Sequence, residues 1–178
     1  MRKLVESTFV TIDGVISSPQ DWGAPYWDDE HAAYAHQLLF AADALVLGRV
    51  TYEGFAQAWP ARAGADEYAD RINAMPKHVA TTTLTDLTWN ASRIEGDVVA
   101  GIAELKQQPG GDLLKFGTGP LDRTLIEHGL LDELHLWVFP AVAGHGDRLL
   151  DGIGTTHFAL ERQTRFDSGI VVLVYRPK

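Results

Sequence analysis

The stretch Asp43-Ala-Leu-Val-Leu-Gly-Arg-Val-Thr-Tyr-Glu53 decides how the chain folds. Its apolar run, Leu45 to Leu47, is a strand of the kind expected when both faces of a sheet are covered. It breaks at Gly48 into a pattern that reads as a helix from Thr51 to Trp59, ended by Pro60. A strand that hands over to a helix start leaves unpaired backbone N–H groups directed at one spot. Here the guanidinium of Arg49 and the hydroxyl of Thr51 stand beside them. Such a corner suits a phosphate group. Its simpler reading is a capped helix with Thr51 as N-cap, although the residue three further on is Gly54 rather than the Glu or Gln of a capping box.

Two further strand ends have the same character. Lys77-His-Val-Ala-Thr-Thr-Thr83 offers the hydroxyls of Thr81, Thr82 and Thr83 to a ribose phosphate, or uses them only as β-branched strand residues. Asp112-Leu-Leu-Lys-Phe-Gly-Thr-Gly-Pro120 is followed by a helical pattern. Gly117-Thr118-Gly119 has too few glycines for the full dinucleotide fingerprint, so its position carries the argument: it follows a buried-looking strand and precedes a helix, where open sheets bind ligands.

Before the deciding stretch, Leu4 to Ile12 reads as a β-branched strand closing on the turn Asp13-Gly14, which either brings backbone close to a cofactor ring or simply turns the chain. Ile16 to Tyr26 has neither helical nor alternating period, yet carries Trp22 and Tyr26, and aromatic-bearing loops often cover a site. Trp22 and Trp27 are candidates to wall a planar substrate, with core packing as the alternative. Asp28-Asp29-Glu30 opens a helix to about Ala42, whose apolar stripe reads Ala32, Ala35, Leu39, Ala42. Any of those acids, Asp28, Asp29 or Glu30, is a candidate carboxylate to face a bound heterocycle and relay a proton, although acids at a helix start are favoured by the macrodipole alone.

Beyond it, helices are expected from Glu67 to Met75, Val98 to Gln107 and Leu121 to His128, the last capped by Gly129. Strands are expected at His78–Ala80, Leu113–Phe116 and Leu134–Phe139, and then as a pair, Phe158–Phe166 and Ile170–Tyr175, joined by Asp167-Ser-Gly169. Strands alternating with helices and ending in a hairpin give one α/β domain over residues 1–178. It has three layers: a mostly parallel central sheet, helices on both faces and a C-terminal antiparallel hairpin.

The totals exclude several functions. With 15 basic against 24 acidic residues and a formal charge of −9, the chain is no dedicated nucleic-acid binder, so any phosphate site is local. Zero cysteines exclude a disulfide framework, a thiolate zinc site and a cysteine nucleophile. His31 and His36, five apart, fall on different helix faces, and no H-E-x-x-H occurs, so no metal site is expected. A G-x-S-x-G nucleophile elbow is absent as well. No run approaches the roughly 20 apolar residues of a membrane span, and a cytoplasmic location is expected.

Taken together, Thr11-Ile-Asp-Gly14, Asp43 through Thr51-Tyr52 with its G-R-x-T, the Gly117-Thr-Gly119 turn, and Gly129-Leu-Leu-Asp-Glu-Leu134 leading to Pro140, Gly144 and Gly146 resemble the dihydrofolate reductase fold superfamily. Within it, the chain is similar to the C-terminal reductase domain of the riboflavin-biosynthesis deaminase-reductase. The resemblance implies an NADPH-dependent reductase acting on a small planar or imine-bearing substrate, and a homodimer. Arg49 and Thr51 would meet cofactor phosphates, Gly48 opening that corner; Thr81 and Thr82 would take the adenosine side and Gly117, Thr118 and Gly119 the pyrophosphate. Ile12, Asp13 and Gly14 would lie beside the nicotinamide. The folate enzyme carries a carboxylate five residues after its loop tryptophan; here Trp27 stands five after Trp22 and Asp28 one further on. A pterin or folate reductase using Asp28 is therefore the second reading, and a non-catalytic nucleotide-binding regulatory protein the third.

Overall fold

A computed structural model describes all residues, Met1–Lys178. The chain forms two compact units, each assembled from two separated pieces of sequence: Met1–Leu4 with His36–Phe116, and Val5–Ala35 with Gly117–Lys178. No linker is legible in the sequence because neither unit is a continuous segment.

The first unit holds strands β2 (Ala42–Gly48), β3 (Lys77–Ala80), β4 (Ala91–Arg93) and β5 (Asp112–Phe116), and helices α3 (Arg49–Ala58), α4 (Glu67–Ala74) and α5 (Val98–Gln107). The strand order is β4-β3-β2-β5 and every pairing is parallel. Leu45, Val46 and Leu47 are fully buried on consecutive, oppositely directed positions, so β2 is covered on both faces. Ile72 of α4 and Ile102 of α5 are buried with them. At the other end of β2, Arg2 bonds the Gly111 carbonyl (2.6 Å) and Asp43, while Asp43 accepts the Gly111 N–H at 2.8 Å. A Cβ on Gly111 would stand 2.7 Å from the Ala41 carbonyl oxygen, so this turn needs glycine.

The second unit holds β1 (Leu4–Thr11) from Val5 onward, α1 (Pro19–Gly23), a 3-10 turn (Ala24–Tyr26), α6 (Pro120–Glu127), β6 (Glu133–Phe139), β7 (Phe158–Arg165) and β8 (Val171–Pro177). β1 and β6 are parallel, β6–β8 and β8–β7 antiparallel, in the order β1-β6-β8-β7. Phe9, Trp137 and Phe139 form an aromatic cluster with 5.1–5.2 Å between ring centroids, and the Trp137 indole N–H donates to Ser7 at 3.0 Å. Helix α6 closes on Gly129 at φ 61°, with the Gly129 and Leu130 N–H groups returning to the Ile126 and Leu125 carbonyls. That double return is the cap expected from a glycine at this position.

Helix α2 (Asp29–Ala41) gives its first seven residues to the second unit and the rest to the first. The mostly parallel α/β class and the terminal hairpin are as expected, with Gly169 at φ 95° in the turn. Several local expectations need correction. The Ile16–Tyr26 loop contains α1 and the 3-10 turn, each with a proline among its first two residues, Pro19 and Pro25, whose fixed φ presets the first turn without any amphipathic period. The stripe of α2 is different too: Ala32 is exposed and Ala42 belongs to β2, while Leu39 is buried beside half-buried His31, Tyr34, Ala35 and Leu38. Helix α3 starts at Arg49 with Gly48 as N-cap, so Thr51 is no cap. Finally, β4 is a strand where none was expected; three residues are too few to show a period, and its pairing with β3 defines it.

Candidate functional site

In the first unit three strand ends meet the start of α3. The β2–β3 register sets Gly48 beside Ala80, so Arg49 and Thr81 each follow directly from neighbouring strand ends. The third end is tied in by the Thr51 hydroxyl, which donates to the Phe116 carbonyl at the end of β5 (3.4 Å). Gly48 is extended (φ −74°, ψ 162°) and no atom lies within 4 Å of where its Cβ would stand. The first N–H groups of α3 receive no side-chain cap from it. Beside them the Arg49 guanidinium, half exposed, donates to Glu53 at 2.8 Å. Thr81 turns its hydroxyl onto its own segment, accepting the Thr83 and Leu84 N–H groups at 3.2 Å each, while Thr82 is exposed. Tyr52, the residue after Thr51, reaches the following segment: its buried hydroxyl accepts the Thr88 N–H (2.8 Å) and donates to the Thr88 carbonyl (3.2 Å).

The second unit carries the other predicted residues. Gly117, at φ 69°, donates its N–H to Ser7 at the start of the Gly117-Thr118-Gly119 turn. The Thr118 hydroxyl is buried without a hydrogen-bond partner, and the space beside Gly119 is open. Buried hydroxyls are normally paired, which sets this one apart. Asp122 caps the turn by accepting the Gly119 N–H. Asp13 ties two loops together: its carboxylate accepts from the Thr11 hydroxyl, the Gly144 N–H (2.8 Å) and the Ala143 N–H (3.1 Å). Those bonds, the Thr11 one foremost, hold its pKa down at about 2. Gly14 takes φ 84° in this turn, and neighbouring Ile12 leaves a large apolar side chain 65% exposed.

Trp22 is half-buried, its indole N–H on the Ser17 carbonyl (3.0 Å) and its edge against Phe139. Trp27 is the exposed one of the pair and stacks over His31 with 6.1 Å between centroids. Asp28 accepts the His31 backbone N–H at 2.8 Å, which lowers its pKa and makes it the cap of α2. The His31 ring sits among Phe9, Trp137 and Phe139, and its Nε2 is buried without a partner. Burial lowers its pKa, against an opposing pull from Asp28.

Four features here went unread in the sequence. The Arg49–Glu53 pair carried a signal, its four-residue spacing on a helix. His31 was weighed only as a metal ligand, and its aromatic cage needs residues from β1 and β6. The Tyr52–Thr88 clamp and the orphaned Thr118 hydroxyl leave no trace in local pattern.

The sequence matches the model of the RibD C-terminal domain over residues 2–172. It is 26% identical to the uncharacterised protein YyaP of Bacillus subtilis (strain 168), over 98% of this chain and 94% of that one. Among solved structures it is similar to a protein ascribed to riboflavin biosynthesis from Shewanella sp. PV-4, with a TM-score of 0.69 and 19% identity over 99% of both chains. A pyrimidine reductase-like protein from Corynebacterium diphtheriae gives 0.65 at 14% identity, covering 99% of this chain and 92% of the other. The Thermotoga maritima diaminohydroxyphosphoribosylaminopyrimidine deaminase/5-amino-6-(5-phosphoribosylamino)uracil reductase also gives 0.65 at 14%, and this chain spans 57% of it. At these identities the structures speak for the fold.

Proposed function

This chain belongs to the RibD C-terminal domain family, and from that membership and the corner at α3 we propose that it is an NADPH-dependent reductase of a small planar or imine-bearing heterocycle. The observation that supports it most is the meeting of the β2, β3 and β5 ends at Gly48, Arg49 and Thr51. Open first-turn amides, a guanidinium and neighbouring hydroxyls there are the donor set that phosphate binding requires. The orphaned Thr118 hydroxyl is a second feature that fits a phosphorylated cofactor.

In this reading Gly48, Arg49 and Thr51 hold phosphate, Thr81 and Thr82 take the adenosine side, and Gly117, Thr118 and Gly119 take the pyrophosphate. Ile12, Asp13 and Gly14 lie beside the nicotinamide. The cofactor, when bound, supplies the hydride; the protein supplies orientation and a water-poor pocket. Asp13 does its part by fixing the Thr11–Gly14 turn against the Ala143–Gly144 backbone. Trp22 and Trp27 provide flat apolar surface for a heterocycle. Asp28 fits a proton donor poorly, because the N–H it accepts stabilises its charged form, and this weighs against the pterin or folate reading. The structure contains no helix long and apolar enough to cross a membrane. A cytoplasmic location and a homodimer belong to the same proposal.

Titration with NADPH, followed by nicotinamide fluorescence and tryptophan quenching, tests the cofactor. Binding is expected, Arg49→Ala is expected to weaken NADPH more than NADH, and oxidation of NADPH by a panel of imine-bearing and pyrimidine substrates is expected to identify the acceptor. Absence of binding at millimolar NADPH would overturn the reading.

A further inference from the structure

Arg49 stands where helix physics does not favour a cation. It is the first residue of α3, at the positive end of the macrodipole, and it precedes Glu53 in the i,i+4 order that gives a helix the smaller gain. Nothing in the stability of α3 calls for an arginine at this point. What its guanidinium does have is one ion pair, with Glu53, at 2.8 Å. The two side chains are 48% and 43% exposed, so the pair is held in place but lies open to solvent and to exchange of partners. A carboxylate bonded to guanidinium N–H groups uses the donors that a phosphate oxygen would use.

On the cofactor reading above, we propose that Glu53 is a resident counter-anion for Arg49, which the cofactor's ribose phosphate must displace, and that Glu53 thereby sets the discrimination between NADPH and NADH. A cofactor lacking the extra phosphate leaves the Arg49–Glu53 pair intact and gains nothing from it. The phosphorylated cofactor must take the guanidinium from Glu53 and then tolerate a carboxylate four residues along the same helix face. Both effects lower the advantage that Arg49 confers, and added salt screens both.

The experiment measures NADPH and NADH dissociation constants by nicotinamide fluorescence for the natural chain, Glu53→Gln, Arg49→Ala and the double variant, at low and at high salt. Glu53→Gln is expected to tighten NADPH by about three- to fivefold at low salt and to leave NADH within twofold, consistent with a partly exposed charge pair. The gain is expected to shrink at high salt and to vanish in the Arg49→Ala background, while Glu53→Asp is expected to stay near the natural ratio. An unchanged NADPH to NADH ratio in Glu53→Gln, with both cofactors binding, overturns the proposal and leaves the cofactor reading standing. A gain that persists in full without Arg49 overturns it as well, since Glu53 would then act as a general negative field. If no variant binds either cofactor, the reading beneath the proposal falls with it.

Discussion

Removing the Tyr52 hydroxyl, as Tyr52→Phe, tests whether α3 holds the segment after β3 in place. The ring stays in the core, where Tyr52 is only 5% exposed, and only the oxygen is lost. That oxygen both accepts from and donates to Thr88, so two hydrogen bonds go at once, each worth roughly 0.5–1.5 kcal/mol. The Thr88 N–H and carbonyl are left facing a phenyl edge, and the segment regains their hydration by opening. A sum of about 2 kcal/mol corresponds to a roughly 30-fold rise in the local opening equilibrium, since about 1.4 kcal/mol is a factor of ten. Native-state amide hydrogen exchange reads this directly. Thr88 and its neighbours are expected to exchange about 30-fold faster, while Leu45–Leu47 keep their protection after correction for global stability. NADPH binding is expected to weaken through the Thr81 and Thr82 side. Unchanged exchange at Thr88 would refute the reasoning, because the segment would then be held by something other than this hydroxyl.

Lys77 is fully buried, its amine 4.0 Å from the centre of the Trp89 ring and 2.7 Å from the Asn73 carbonyl, and burial pushes its pKa down to about 8. The unfolded chain therefore binds the proton more tightly between pH 8 and the ordinary lysine value of 10.5, so stability rises with pH across that window, by at most about 3 kcal/mol; denaturation midpoints are expected to show the rise in the natural chain and lose it in Lys77→Met. His31, with its pKa lowered by burial, contributes stability that is present above its ordinary 6.5 and is lost as pH falls through its folded value. Its replacement by Phe, which suits the aromatic cage and removes the unpartnered Nε2, is expected to abolish that acid-side loss in urea titrations at pH 4–7, and an unchanged acid slope would show that other groups cause it.

What the sequence settled by itself are features that depend on near neighbours. Leu45-Val-Leu47 read as a doubly covered strand because no polar residue interrupts it, Gly129 as a helix cap because only glycine takes φ 61° there without cost, and Asp167-Ser-Gly169 as a hairpin turn for the same reason. The glycine-bearing ends of β2 and β5 were legible because Gly48 and Gly117 follow apolar runs and precede helical periods. The tertiary structure decided the rest, wherever a group chose between a near and a distant partner. Thr51 had the chemistry of a cap, yet its hydroxyl donates to Phe116, 65 residues away, once β5 lies beside β2. Asp13 read as part of a turn, but its carboxylate meets Gly144, 131 residues on. Asp28 had the chemistry of a proton relay and lies as the cap of α2, while the buried orphan nitrogen beside it belongs to His31. Hydrophobic period and turn chemistry act over a few residues, so they fix where strands and helices run. Which oxygen a hydroxyl or carboxylate finds depends on strand register, and that is set only when distant segments pack.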